Sequence, residues 1–424
     1  FFRFANKEEY DYKIVYFNVF LIVFLNCFLF GLTISLFYKA ISITLGYDKN
    51  YNYIIWMALI IILDAINAIP FVKLRLKEKA FKFSIIKIIN VIVNVFLNFV
   101  FIIVIPYLKF KYGLFINYHL DVKYIFIANF ISSFIVFILL LPDFPNKIVI
   151  DKNLISKILA YSIPLFIAGL AGSVNDVIDR QFIKYFIPAD LNPMKQLGIY
   201  FANVKIAVIL LIGIQTFRFA SEPFFFNFEK NLDSKKVFSN IMNYFIIACL
   251  IISLFTIANL SWIKYFIGVQ YWDGLKIIPV VLIANVFVGI FMNLSIWYKL
   301  SDKTIFGLYI IVFGAILSII LNYLFVPHFG YYAAAINRAF VYLIMIVACY
   351  ILGQKFYKIE YNLKKITKLF IIALCGYLFL KYFKIYNKIF ILILDNFVVF
   401  VISLLFLKDD IKKFIRKKYE HKNC

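Results

Sequence analysis

Metal-ligating residues are scarce in this sequence, and their spacing excludes a metal centre. Its 424 residues include five cysteines, Cys27, Cys249, Cys349, Cys375 and Cys424, with no CxxC or comparable pair. The three histidines, His119, His328 and His421, are far apart in the gaps between apolar runs. Four of the cysteines lie inside such runs, where a thiol behaves as a small hydrophobe. No cofactor motif is present either. Acids are few, 22 against 45 Lys and Arg, for a net charge of +23. In a soluble protein this excess would point to nucleic acid. Here the basic residues fall in short gaps between apolar blocks, the pattern of membrane topology, and nucleic acid is not expected as a partner. Polar stretches long enough for a soluble domain are missing throughout. A secretory signal is missing as well. The opening Phe1-Phe2-Arg3-Phe4-Ala5-Asn6-Lys7 lacks Met and reads as the end of a helix whose body lies upstream, so an N-terminal fragment is expected.

What fills the sequence is apolar. Hydrophobic residues make up 64% and aromatics 20%, with a mean hydropathy of +0.91. A soluble domain is about 45–50% apolar, and such an excess cannot be covered by polar surface in water. The apolar blocks are about 20 residues long, enough to cross ~30 Å of hydrocarbon. Twelve spans are predicted, at 14–38, 53–71, 84–106, 123–142, 159–185, 198–220, 239–263, 276–298, 304–326, 331–353, 366–382 and 389–407. Segments 1–13, 72–82, 143–157, 218–236, 299–303, 354–368 and the tail hold 29 Lys and Arg, and the opposite set holds 11. The richer side is expected in the cytoplasm, with both ends of this chain, including Lys412, Lys413, Arg416, Lys417 and Lys418. The 52 Phe and 30 Tyr rise together with Ile, Lys and Asn, which speaks for codon bias over sugar-stacking platforms.

One tetrapeptide recurs. Phe2-Arg3-Phe4-Ala5 returns as Phe217-Arg218-Phe219-Ala220, each copy expected at the cytoplasmic end of an apolar helix and six helices apart. This predicts two parallel six-helix halves of equal topology. If the second half starts at 159–185, the first shows four of its six helices, and the full chain would have 14. The expected fold is an all-α polytopic membrane protein. It divides into 1–150, a first lobe short of two helices, 151–353, a second lobe, and 354–424, two further transmembrane helices with a basic cytoplasmic tail.

The motifs add a resemblance. Tyr161-Ser162-Ile163-Pro164-Leu165-Phe166-Ile167-Ala168-Gly169-Leu170, then Asn175-Asp176-Val177-Ile178-Asp179-Arg180, resemble the seventh helix of Wzx-type polysaccharide flippases. Phe217-Arg218-Phe219-Ala220-Ser221-Glu222-Pro223-Phe224-Phe225 and Ile69-Pro70-Phe71-Val72-Lys73-Leu74-Arg75 continue the match along nearly the whole chain. That family belongs to the multidrug/oligosaccharidyl-lipid/polysaccharide superfamily. The resemblance implies a transporter in the bacterial inner membrane, moving an undecaprenyl-diphosphate-linked oligosaccharide for O-antigen (lipopolysaccharide), capsule or exopolysaccharide synthesis. Its implied partners are the bilayer, the lipid-linked oligosaccharide and the polysaccharide polymerase and ligase. Two alternatives share the fold, a cation-coupled multidrug exporter and a peptidoglycan-precursor flippase. A membrane glycosyltransferase or polymerase would need a catalytic carboxylate pair or a large loop. Every loop here is short, and the acids well inside spans are Asp64, Asp176, Asp179 and Asp395, so the chain is read as a non-enzyme.

A charge at mid-membrane costs about 2.5–3.5 kcal/mol on insertion scales and usually faces protein or water. Arg180, Lys205 and Arg338 are placed within roughly 10 Å of the outer boundary, all in the second half. Cations at one depth suit a diphosphate, which Arg grips with two donors and Lys as a point charge. The plainer reading is an Asp176–Arg180 pair at i,i+4 and basic side chains snorkelling to the interface. Asp64, with Asn67 a turn on, and Asp176 are candidates for a coupling proton or cation, or for packing. Asn90, Asn94 and Asn98 line one helix face, with Asn322 similar in kind elsewhere. Such amides suit sugar hydroxyls and interhelical bonds equally. Glu222-Pro223 is expected to end a helix, with Glu222 paired to Arg218. Ala168, Gly169, Ala171 and Gly172 are expected to permit close helix approach, beyond a bend at Pro164.

Overall fold

A computed structural model describes residues 1–5, 10–44, 50–114, 119–382 and 395–406, all helix or irregular chain. The side chain of Asp176 and the tail from 407, with its lysines, Arg416, His421 and Cys424, lie outside the described residues. The chain forms two compact units, 1–160 and 161–424. Hydrocarbon offers no partner to a backbone amide, so apolar blocks of this length close their own hydrogen bonds as helices.

The first unit contains α1 (Tyr12–Thr44), α2 (Asn52–Leu76), α3 (Ala80–Phe99, prolonged by Ile105–Tyr112) and α4 (Lys123–Leu140). Residues Val100–Val104 of α3 make a wide π turn just before Pro106. Proline lacks an N–H and crowds the carbonyl four residues back, so the ladder widens there. The tetrapeptide at the start forms a four-residue helix, Phe2–Ala5, with Phe2 and Phe4 buried.

The second unit contains α5 (Lys152–Phe186, which begins in the first), α6 (Pro193–Ile206), α7 (Val208–Phe228), α8 (Ser234–Ala258), α9 (Ile278–Leu294), α10 (Thr304–Phe356) and α11 (Leu363–Tyr382). Residues Asp395–Phe406 form a further apolar helix. Nine of the described helices are long and apolar enough to cross a membrane. One of them, α10, runs 53 residues and is broken at Gly330 (φ 59°, ψ −145°), so it covers the two spans predicted at 304–326 and 331–353. A Cβ at that glycine would sit 2.1 Å from Gln196 Oε1, which accepts the N–H of Tyr331. The positive φ and the contact both exclude a side chain there. With α11 and Asp395–Phe406, the all-α polytopic plan of about twelve spans holds.

Three expectations are corrected. The predicted span 198–220 is two helices, broken at Ala207, whose carbonyl accepts a bond from Asn285 Nδ2 at 3.2 Å. A side-chain donor that takes a backbone carbonyl lets the ladder break at little cost. Pro223 does not end its helix, because α7 runs through it to Phe228. Glu222 meets Lys299 at 3.5 Å. Gly169 makes no close helix contact, with nothing within 4 Å of its Cβ position, and Gly172 has only ordinary contact with Ile311. Close approach occurs at Gly289, where a Cβ would meet Phe245 at 2.6 Å, and at Gly314, where it would meet Met345 Sδ at 2.4 Å.

The core of the second unit is extensive. Ile246, Ile278, Val286 and Cys349 are fully buried in it, and Trp297 nearly so. Trp297 donates to Cys349 Sγ at 3.3 Å and stacks on Phe356 at 6.0 Å between ring centres.

Candidate functional site

In the second unit, charged and polar side chains of three helices meet at one buried carboxylate. Asp179, 3% exposed, projects from α5. Its Oδ2 accepts a hydrogen bond from the Tyr200 hydroxyl on α6, and its Oδ1 accepts the backbone N–H of Arg180 at 2.8 Å. Arg338, on the second arm of α10, brings Nη1 to 3.9 Å from the same Oδ2, with 13% of its side chain exposed. The Arg180 guanidinium lies 4.7 Å from the Phe201 ring centre, and its buried Nε has no hydrogen-bond partner among the described residues. Three helices thus bring the Arg338 guanidinium, the Tyr200 phenol and the Arg180 backbone to one acid. Breaking α10 at Gly330 aims its second arm separately from its first.

Amides extend the group. Asn322 Nδ2 donates to Ser318 O at 2.8 Å, and Asn337, next to Arg338, donates to Asn322 Oδ1 at 3.5 Å. Asn175, one turn before Asp179, is 6% exposed, and its Nδ2 has no partner among the described residues. Unsatisfied buried amides of this kind mark places where water or ligand completes the hydrogen bonding.

Of the three cations expected at one depth, the structure brings Arg180 and Arg338 to the same carboxylate. Lys205, in the last turn of α6 before the break, is exposed and outside that group. Asp176 belongs to α5, but its side chain is outside the described residues.

In the first unit, Asp64 on α2 is exposed and its Oδ1 accepts the Ser133 hydroxyl of α4 at 2.7 Å. Asn67 Nδ2 donates to Ser133 O at 3.0 Å. Asn94 donates to Asn129 Oδ1 at 2.5 Å and to Ser132 Oγ at 3.4 Å, and Asn98 donates back to Asn94 Oδ1 at 2.9 Å. The stripe therefore serves the α3–α4 contact through Asn94, whereas Asn90 is half-buried. Tyr53 donates its hydroxyl to Asp121, outside the spans, and this bond holds that carboxyl below its usual range.

Sequence reasoning missed Asp179 as the shared acceptor, Tyr200 as its donor, and Lys87, whose Nζ lies 4.4 Å from the Phe71 ring centre on the α2–α3 contact. Lys87 was visible as a cation in an apolar run. Tyr200 was one tyrosine among 30.

No protein-family model matches the sequence, and no curated protein matches it. Solved structures do match the fold. One, described as the outward-facing conformation of a multidrug resistance MATE family transporter of the MOP superfamily, has a TM-score of 0.69 at 11% identity, covering 84% of this chain and 80% of that one. The MATE transporter VcmN of Vibrio cholerae has a TM-score of 0.65 at 15% identity, covering 83% and 80%. The lipid II flippase MurJ, in an inward closed conformation, has a TM-score of 0.56 at 12% identity, covering 97% of this chain and 87% of its own. The chain shares the fold of these proteins and is a multi-pass membrane protein. The neighbours are transporters and a flippase.

Proposed function

We propose that this chain is a MOP-type transporter, not an enzyme, and that it moves an anionic lipid-linked headgroup across the bacterial inner membrane. The substrate class is an undecaprenyl-diphosphate-linked oligosaccharide for surface polysaccharide, delivered to a polymerase and ligase. The chain works as two lobes, 1–150 and 151–353, with 354–424 appended and both ends cytoplasmic. One observation carries the reading. The Arg338 guanidinium meets Asp179 beside the backbone N–H of Arg180, and the buried Arg180 Nε has no hydrogen-bond partner among the described residues. Ionised groups at this depth are costly and are kept where they bind something. A diphosphate accepts paired donors from Arg. Asp64, held by Ser133, is the candidate for coupling to a proton or cation. The fold is shared with a lipid II flippase over 97% of this chain at a TM-score of 0.56, against 0.69 and 0.65 for the two MATE proteins. That likeness keeps a peptidoglycan-precursor flippase as the second reading.

The test is complementation of a bacterial strain lacking its own polysaccharide flippase, scored by surface glycan at matched membrane levels. Restored glycan, lost in Arg180→Ala and Arg338→Ala and partly regained in Arg338→Lys, supports the reading. Rescue indifferent to these variants sinks the site. Failure with every donor glycan, together with export of cationic dyes, transfers the assignment to drug export. Lys205→Ala, on the same scale, separates the exposed cation from the two buried ones.

A further inference from the structure

Beside Asp179 on α5, the unmet hydrogen bonding among the described residues is all of one kind. Both carboxylate oxygens are occupied, Oδ1 by the Arg180 backbone N–H at 2.8 Å and Oδ2 by the Tyr200 hydroxyl. The atoms left without a partner are donors, Asn175 Nδ2 and Arg180 Nε. Asn175 is 6% exposed and stands one turn before Asp179, and Arg180 is the next residue after it. A buried donor left without an acceptor is costly. A ligand rich in acceptor oxygens relieves this kind of deficit, and one that brings donors does not.

The contacts of Asp179 also differ in strength. Two are hydrogen bonds, from Tyr200 and from the Arg180 backbone. The third, from Arg338 Nη1, is 3.9 Å long, beyond hydrogen-bond distance. Arg338 is thus the partner that can leave while the other two keep the carboxylate satisfied. The reverse is not true of the guanidinium. A buried cation stripped of its counter-charge is strongly disfavoured. An empty site therefore needs an acid beside Arg338, and a site filled by an anion does not.

We propose that Asp179 stands in for the phosphate of the substrate. It holds the Arg338 guanidinium while the site is empty, and yields it to a phosphate oxygen when an anionic headgroup arrives. The Tyr200 hydroxyl and the Arg180 N–H keep the released carboxylate hydrogen-bonded. Asn175 Nδ2 and Arg180 Nε are the donors whose bonding the incoming oxygens complete. Asp179 is a positioning residue in this scheme, acting on the substrate through Arg338. The inference rests on the anionic-headgroup reading above and adds a competition to it. Acid and substrate share one guanidinium, so whatever weakens the hold of the acid strengthens binding.

Isothermal titration of the detergent-solubilised full chain with farnesyl diphosphate tests this, with farnesol as the uncharged prenyl control. Wild type is expected to bind the diphosphate more tightly than farnesol, and Arg338→Met to lose that preference. Asp179→Asn removes the competing charge and is expected to bind the diphosphate about ten-fold more tightly. Tyr200→Phe frees the carboxylate for Arg338 and is expected to bind it about five-fold more weakly. That variant keeps both charges, so the test stands should Asp179→Asn not fold. Farnesol binding is expected to be unchanged in all three variants, which reports an intact fold. An acid that merely holds Arg338 in place predicts the opposite sign. Diphosphate binding that is weakened or unchanged in Asp179→Asn, or unchanged in Tyr200→Phe, while Arg338→Met still loses the preference, would overturn the stand-in and leave the transport reading in place. A wild type with no preference for diphosphate over farnesol would overturn both.

Discussion

Helices of the first unit are tied together mainly by amides and hydroxyls, whereas those of the second combine such bonds with close packing of large residues against glycines. Asn94–Asn129, Asn67–Ser133 and Ser133–Asp64 cross between α3 and α4 or between α2 and α4. The most apolar windows of α1 and α3 are 11% and 0% buried, against 61% and 72% for α8 and the helical stretch Val269–Leu300. In the second unit, Phe245 fills the notch at Gly289, Met345 that at Gly314, and Trp297 the one at Gly353. The difference teaches what holds helices in lipid. An apolar side chain gains no hydrophobic energy by leaving lipid for a neighbouring helix. Affinity between helices then comes from close packing, which needs small residues opposite large ones, or from polar bonds, which need a partner at the right depth. Among the described residues the first unit shows mainly the polar bonds, and the second shows both.

The largest expected effect is Trp297→Ala. Loss of a 2% exposed indole packed on Phe356 and Gly353 is expected to cost about 3–5 kcal/mol. Thermal unfolding of the detergent-solubilised protein reads it. Next comes Asp179→Asn, which leaves Arg338 without its carboxylate and weakens the Tyr200 bond, for about 2–3 kcal/mol. Pairing it with Arg338→Met removes the orphaned charge and is expected to recover part of that stability while transport stays lost. The smallest is Asn94→Ala, at about 0.6 kcal/mol, the average worth of an interhelical bond in a membrane. If Asn94→Ala costs as much as Trp297→Ala, the two units are held alike and the comparison collapses. If the Asp179 double variant transports normally, the buried charges belong to packing alone.

Much of this was legible before any coordinates. Span positions followed from block length, and Arg180 and Arg338 stood out because charge in an apolar run is expensive. Asp179 was equally visible, but its role was not, since three helices must meet before one carboxylate can serve Tyr200 and Arg338. Depth reasoning grouped Lys205 with the arginines on the premise of a straight helix. The break at Ala207 depends on Asn285, 78 positions away, and no local pattern announces it. Pro223 shows the converse error. A proline near a helix end looks like a stop, yet a helix tolerates it where solvent or neighbours take up the freed carbonyl.

Sequence alone determined that this is a multi-pass, all-helical membrane protein. Length, hydropathy and charge placement act on each segment separately, and hydrocarbon leaves a backbone few choices. Tertiary structure alone decided which polar groups meet. The Asp179 group and the Asn94–Asn129 tie each require residues from separate helices at one depth. Rotation and breaks in those helices, set by packing at Gly330, Gly289 and Ala207, bring them there.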